Sequence, residues 1–600
     1  MRELKWNELK SADEERAQGE GSLDVSHLLA TVQEGRAIAL SGESPADEER
    51  IPYGEALTTR NRAGYVRTGA EKTRKQKSFS ISGRRFFPAV MLILALTLVF
   101  LYVMLAGIGR AGHIESAAAF AKGMSPLGFS SLFYVFFFLP AVLLLYYLIP
   151  GRYAKPIILL IASLLFYSFA QPIYLAALLL ICFFNYVAGI ELSYRGSLAR
   201  QGKKAGRTVI GILGIAGNLL LPFLFVFLPW ARSLAEGQEA VPNLALPLGL
   251  MFTALRGIVY LTDIWRGRSE GETDFFLFAL YITFFPTIAL GPIDHYEKIR
   301  PAFAGLFTKK KATTFELFGS GVERFLFGFF KKTLLASPLY VLTLRIRQVP
   351  EAENTVFLAW ILALSYALWL ALELSAYADM AVGTARMLGI RISESFDHPF
   401  LSLSVCDFWR RWQITVTGWF RETICRPVYG ESGSFFRHAL GILLADGLFA
   451  AAHGTSLAYL ILAAYMGVLL ILDTGAVGRL FRRFPDALRW LFTAILLLIA
   501  AAILLGAAST NVFSPVFALF GGAAGGVANA TMLYLLRTHL ALLIVSAVTA
   551  SGLFLRIYRW IRKKLPVIAI ILLIFIFGLA LAAGIGGTGP DTFMRIALGQ

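Results

Sequence analysis

Asp407-Phe-Trp-Arg-Arg-Trp-Gln-Ile-Thr-Val-Thr-Gly-Trp-Phe-Arg-Glu-Thr-Ile-Cys-Arg-Pro-Val-Tyr-Gly430 sets three tryptophans and four arginines between hydrophobic runs that carry almost no charge. At helical spacing, Phe408, Trp412, Val416 and Trp419 form one apolar-aromatic stripe, and Arg410, Gln413, Thr417 and Arg421 fall on another side. The spacing predicts one helix ending near Arg426, because Pro427 pushes the residue before it away from the helical region. Taken alone, such a segment is an interfacial helix with aromatics at headgroup level and arginines in water.

The rest of the chain is richly apolar. Of its 600 residues 57% are hydrophobic and only 16% charged, far less charge than a soluble domain of this size carries. Mean hydropathy is +0.64, and several runs approach the ~20 apolar residues that span a bilayer. The runs are continuous rather than alternating, so the expected class is an all-α polytopic membrane protein, not a barrel. The net charge of +17 is attributed to Lys and Arg held against anionic lipid, with no role for nucleic acid. Three cysteines, Cys182, Cys406 and Cys425, are too scattered for a disulfide framework or a zinc site, so no metal is expected.

Residues 1–85 read as a soluble, largely disordered tail, acidic to Glu55 and then basic, with Arg60, Arg62, Arg67, Lys72, Arg74, Lys75, Lys77, Arg84 and Arg85 against Glu71. That basic block places the tail in the cytoplasm. No cleavable signal peptide is expected, because the first strongly apolar run starts near Phe86. Residues 86–123 are an extra transmembrane helix and linker, and 124–600 the main membrane domain, with eleven to fourteen membrane segments. Further runs are expected near Pro156–Ala170, Ile173–Ile190, Val209–Leu228, Leu246–Arg266, Val356–Leu372, Leu440–Leu472 (as two segments), Leu491–Leu505, Ala541–Leu555 and Val567–Ala583. Arg256 is an unusual charge in one of them. Pro286 and Gly291-Pro292 predict a re-entrant, broken segment. Gly321–Leu344, with Lys331-Lys332 in its middle, is not a simple span. In the run Leu440–Leu462 the ionisable residues are Asp446 and His453, and such groups in a membrane segment usually face a cavity or the bundle interior. Desolvation would keep His453 neutral and able to act as a base; the plainer reading is a buried structural histidine.

The 407–421 string resembles the signature of the membrane-bound O-acyltransferase family, closest to the membrane subunit of bacterial alginate O-acetyltransferases and more distantly to the D-alanyl transferase of teichoic acids. Phe284-Phe-Pro-Thr-Ile-Ala-Leu-Gly-Pro-Ile293, Glu373-Leu-Ser-Ala-Tyr-Ala-Asp-Met-Ala381 and Phe396-Asp-His-Pro-Phe400 also match. The resemblance implies a helical bundle with a central funnel or tunnel, in a bacterial cell membrane. It implies acyl transfer from a cytoplasmic thioester, acetyl-CoA or another acyl donor, toward an extracytoplasmic polysaccharide. The implied partners are membrane lipids and an exported acetyltransferase or polysaccharide synthase; no bound cofactor is implied. Ala452-His453-Gly454 falls where the family has Trp-His-Gly, so His453 is the expected catalytic residue. Gln413 stands where the family usually has His; an amide keeps a donor and an acceptor but takes no proton at neutral pH. Arg410, Arg411 and Arg421 are candidates for donor phosphates; Trp409, Trp412, Tyr377 and Asp379 complete the expected donor and substrate contacts, with packing the alternative for Tyr377 and Trp409. The rival readings are a catalytically silent scaffold of an envelope polysaccharide complex, suggested by Gln413 and Ala452, and a transporter, against which stands the lack of an inverted repeat.

Overall fold

A computed structural model describes residues 128–151, 153–170, 175–200, 206–236, 249–288, 290–307, 314–429, 434–453, 456–508 and 511–585. The tail of 1–85 and the extra helix and linker of 86–123 lie outside these residues. The described chain has helices and no strands. In order they are α1 (Tyr134–Leu148), α2 (Ala154–Ala170), α3 (Leu175–Arg200), α4 (Arg207–Glu236), α5 (Leu250–Trp265), α6 (Phe275–Thr283), α7 (Phe285–Ile288), α8 (Tyr296–Leu306) and α9 (Phe315–Arg347). Then follow α10 (Val356–Met387), α11 (Val405–Arg411), α12 (Ile414–Phe420), α13 (Arg426–Tyr429), α14 (Phe435–His453) and α15 (Leu457–Thr474). The last are α16 (Ala476–Phe481), α17 (Asp486–Leu505), α18 (Ser514–Leu519), α19 (Ala530–Ala550), α20 (Leu553–Lys564) and α21 (Pro566–Ile585). Among the described residues seven helices are long and apolar enough to cross a membrane: α3, α9, α10, α15, α17, α19 and α21.

α9 and α10 form the spine. Gly321 and Gly328 of α9 face Gly383 and Ala376 of α10, and a Cβ at Gly383 would sit 2.6 Å from the Phe325 amide nitrogen. Small residues, with glycine on at least one side of each contact, allow backbones that close. The spine also explains the lysines in α9. At Lys331–Ala336 the helix widens to a π turn, and Lys332, buried, pairs with Glu373, which is fully buried on α10. Lys331 and Arg324 both reach Asp379, at 2.6 and 2.7 Å, and Arg324 continues to Glu394 at 2.6 Å. α9, from Phe315 to Arg347, is therefore long and apolar enough to cross a membrane despite its mid-helix charges, which pair with α10.

The broken segment is present and enclosed. α6 ends at Thr283, Phe284 leaves the helical region with ψ 109°, and a single turn, α7, follows before an irregular stretch over 290–295. All four residues of α7 are buried. Arg256, 2% exposed, lies at this break, and its guanidinium donates to the carbonyls of Ile282 at 2.8 Å, Thr287 at 2.7 Å and Tyr281 at 3.4 Å. A charge that looked anomalous in an apolar run caps a helix end in the protein interior.

The helix expected from Val356 runs on unbroken past Leu372, through Glu373 and Gly383, to Met387. Two expectations need correction. The run Ala541–Leu555 is divided, since α19 ends at Ala550 and Gly552 turns the chain with φ +73°. The 407–430 stretch is not one helix: it breaks at Trp412-Gln413, and it continues past Pro427 to Tyr429. A π turn over Arg421–Cys425 precedes Pro427, and such wider turns accommodate local breaks in the α hydrogen-bond ladder.

Candidate active site

Ser404 opens α11 by accepting a hydrogen bond from the Asp407 amide at 3.2 Å. The helix lasts two turns. Loop 395–397 then intercepts the backbone: the Arg411 carbonyl accepts from the Asp397 amide, and the Ile414 amide donates to the Ser395 carbonyl, both at 2.9 Å. Between these two clamps Gln413 adopts φ +46°, a conformation costly for a residue with a Cβ. Its carbonyl accepts from the Thr417 amide at 2.9 Å and so begins α12.

The broken pair of helices lies against two separate walls. On one side Val416 and Trp419 pack on Ile258 and Val259 of α5 and on Ile293, and Thr415 Oγ1 accepts from the Ile293 amide at 3.0 Å. On the other, the Cys406 amide donates to Asp473 at 2.8 Å, and Phe408 packs with Met466 of α15.

His453 is the last residue of α14. Its Nδ1 lies 2.7 Å from the Phe449 carbonyl. A carbonyl only accepts, so Nδ1 carries the proton, and in the neutral ring Nε2 keeps its lone pair. The imidazole packs against Phe449 with ring centroids 4.1 Å apart and faces Tyr459 of α15 at 5.9 Å. Phe449 in turn meets Trp409 at 5.7 Å and Phe420 at 6.5 Å. His453 is thus one aromatic ring away from both helices of the tryptophan-rich stretch. Its side chain is exposed among the described residues, whereas the sequence suggested burial.

The other expected residues divide into those tied up and those open. Arg411 is bound to Asp407 at 2.9 Å and approaches Asp397 at 3.9 Å. Arg410 and Arg421 are exposed and make no ion pair among the described residues. Trp412 stacks on Phe408 at 5.4 Å and meets Phe396 edge-on. Tyr377 is buried on α10 near the Lys332 ammonium, and Asp379 holds its two cations; neither is part of the His453 neighbourhood just described. Asp446 lies along α14 from His453 with Oδ2 toward Gly467 of α15. Buried polar atoms that lack a partner among the described residues in this region include Ser395 Oγ and Asp446 Oδ2 and, on the tryptophan-rich stretch itself, Trp409 Nε1, Trp419 Nε1 and Gln413 Oε1. Two donors and an acceptor left open in this way suit a ligand carbonyl or hydroxyl.

One constellation escaped the sequence reading. His295 Nδ1 lies 2.6 Å from Asp263 Oδ2, and Arg268 bridges Asp263 at 3.6 Å to Glu422 at 3.2 Å. The hydrogen bond to Asp263, with that carboxylate's charge, raises the His295 pKa above its ordinary value despite burial. Arg266 also donates to the Thr423 carbonyl at 3.4 Å. This polar strap ties the end of α5 to the π turn. Among the described residues no group of three His, Cys, Asp or Glu side chains is arranged to hold a metal ion.

A family model for membrane-bound O-acyltransferases matches residues 268–512, which include every expected site residue. A probable alginate O-acetylase of Pseudomonas aeruginosa is 30% identical over 381 residues, 62% of this chain and 70% of the relative. A peptidoglycan O-acetyltransferase of Helicobacter pylori is 27% identical over 407 residues, 61% of this chain and 74% of the relative. A teichoic acid D-alanyltransferase of Bacillus subtilis is 26% identical over 234 residues, 39% of this chain and 56% of the relative.

Proposed function

Because the chain belongs to the membrane-bound O-acyltransferase family, we propose that it transfers an acetyl group from a cytoplasmic thioester, acetyl-CoA in the simplest case, toward an extracytoplasmic polysaccharide or a partner that acetylates one. Two relatives named for O-acetylation, of alginate and of peptidoglycan, support both the acetyl group and the polysaccharide acceptor. An exported acetyltransferase or a polysaccharide synthase would be the partner. The basic block of 56–85 orients the chain with its tail in the cytoplasm of a bacterial cell membrane.

The observation that carries the mechanism is the Nδ1 bond of His453 to the Phe449 carbonyl. It presents Nε2 as a proton acceptor, one ring away from Trp409. Nε2 takes the proton of the acceptor hydroxyl as its oxygen attacks the thioester carbonyl. The C–S bond then breaks, and the proton passes to the leaving thiolate. General-base assistance of this kind contributes roughly 10²–10⁴-fold. The Trp409 N–H, on the ring that meets Phe449, can donate to the carbonyl oxygen, and the Gln413 amide can orient the hydroxyl without titrating. Arg410 and Arg421 are the open cations for donor phosphates, and Arg411 holds the break in place. The test is acetyl-CoA-dependent labelling of an acceptor in membranes containing the purified protein. Labelling that requires the protein supports acyl transfer. Its absence, with the protein folded and acceptor present, leaves the silent scaffold to which Gln413 points.

A further inference from the structure

α20, Leu-Phe-Leu-Arg-Ile-Tyr-Arg-Trp-Ile-Arg-Lys-Lys, lies outside the stretch the family model matches. It joins two spans, α19 and α21, of 21 and 20 residues. Both of its ends are sharp. Gly552, at φ +73°, turns the chain out of α19, with the His398 ring against its backbone, and Pro566 follows Leu565 to start α21. A segment clamped between two membrane-crossing helices lies at or near one membrane surface.

Its three faces differ in chemistry. Phe554, Tyr558 and Ile561 form the inward face: Tyr558 is 3% exposed and meets Phe327 at 4.7 Å, and Phe554 stacks on Phe330 at 5.3 Å. Arg562 adds an ion pair to Glu323 of α9. These contacts fix the helix's rotation. About a quarter-turn away, Leu553, Ile557 and Trp560 form an apolar stripe that touches no core, at 46%, 48% and 62% exposure. Opposite the packed face stand Arg556, Arg559 and Lys563, all exposed, with no ion pair among the described residues. A helix held to the protein by one side, with an apolar stripe beside it and a cationic stripe beyond, matches a bilayer surface in the order acyl chains then headgroups.

We propose that α20 is an in-plane helix that binds anionic phospholipid, with Arg556, Arg559 and Lys563 on headgroup phosphates and Leu553, Ile557 and Trp560 among the upper acyl chains. Charge complementarity selects an anionic over a zwitterionic leaflet, and each basic group at the surface adds roughly fivefold to the preference. Arginine retained beside a span places this surface on the cytoplasmic side. The site is independent of His453 and of the acyl-transfer reading.

The experiment uses the full chain in phosphatidylcholine nanodiscs doped with brominated phosphatidylglycerol or, at equal mole fraction, brominated phosphatidylcholine. The Trp560 signal is the fluorescence difference between wild type and Trp560→Phe. Brominated phosphatidylglycerol should quench it several-fold more strongly than brominated phosphatidylcholine. In the triple variant Arg556→Gln/Arg559→Gln/Lys563→Gln that several-fold preference should fall to near unity, because the charges that select the anionic headgroup are gone. Arg556→Lys/Arg559→Lys, which keeps the charge, should retain it and guards against misfolding of the triple variant. Equal quenching by the two lipids would overturn headgroup binding, and no quenching by either would place α20 in water.

Discussion

Arg256 offers the sharpest test of how this chain keeps a broken helix inside a membrane. Of its two short hydrogen bonds, one goes to the Ile282 carbonyl at the end of α6, and the other to the Thr287 carbonyl, which also accepts from the Gly291 amide at 3.2 Å. Hydrogen bonds from a charged donor contribute about 1.5–3 kcal/mol each, so the pair is worth roughly 3–6 kcal/mol. The 3.4 Å contact to Tyr281 adds little. Replacing Arg256 by Met fills much of the space and removes the cost of burying a guanidinium, which offsets part of the loss. The net destabilisation expected for Arg256→Met is therefore roughly 2–5 kcal/mol. In detergent the thermal midpoint, followed by size-exclusion peak height, should fall by several degrees. Amide exchange over residues 284–295 should quicken by on the order of 10²-fold, because local opening becomes cheaper there. Arg256→Lys should be intermediate, since one ammonium cannot reproduce a fork aimed at two carbonyls. A Met variant with wild-type midpoint and wild-type exchange at 284–295 would refute the capping argument.

Other consequences follow from the same contacts. Glu373→Ala strands the buried Lys332 and should cost about 3–5 kcal/mol by thermal midpoint, while Lys332→Met/Glu373→Leu should recover most of it; equal loss in both would show that the pair is not what matters. Gln413→Gly should leave the fold intact or stabilise it by about 1 kcal/mol, because glycine adopts φ +46° freely, yet it should lower turnover by removing the amide. The folded-state pKa of His295 is raised, so its tie to Asp263 contributes fully below the unfolded value near 6.5 and is lost as pH rises through the folded value. The midpoint gap between wild type and His295→Gln should accordingly be largest at pH 6 and narrow toward pH 9, with Arg268 and Glu422 as the fixed charges nearby; a gap that widens with pH would reverse the argument.

What could be read in advance followed local rules. Apolar runs located α15, α17 and α21 because length and composition alone decide such helices. Pro286 and Gly291-Pro292 announced the break after α6. The break at Gln413 had no such mark: no glycine or proline stands there, and the turn is imposed by Ser395 and Asp397, residues of a distant loop. The division of 541–555 hid because no charge or proline interrupts that stretch around Gly552. Lys331 and Lys332 looked unfit for a span because their partners, Asp379 and Glu373, belong to another helix. The candidate site was legible as a list, Trp409 to Arg421 and His453, but not as a sorting. Only the fold separates the tied Arg411 from the open Arg410 and Arg421, and only the fold places Phe449 between His453 and Trp409.

The central claim is that this chain transfers acyl groups with His453 as the base. Its most direct measurement is acetyl transfer from labelled acetyl-CoA by purified wild type and His453→Ala in proteoliposomes supplied with the acceptor, with thermal midpoints recorded on the same samples. The account predicts wild-type transfer and a loss of roughly 10²–10⁴-fold in His453→Ala at an unchanged midpoint. Wild-type-like transfer by a well-folded His453→Ala protein would contradict it.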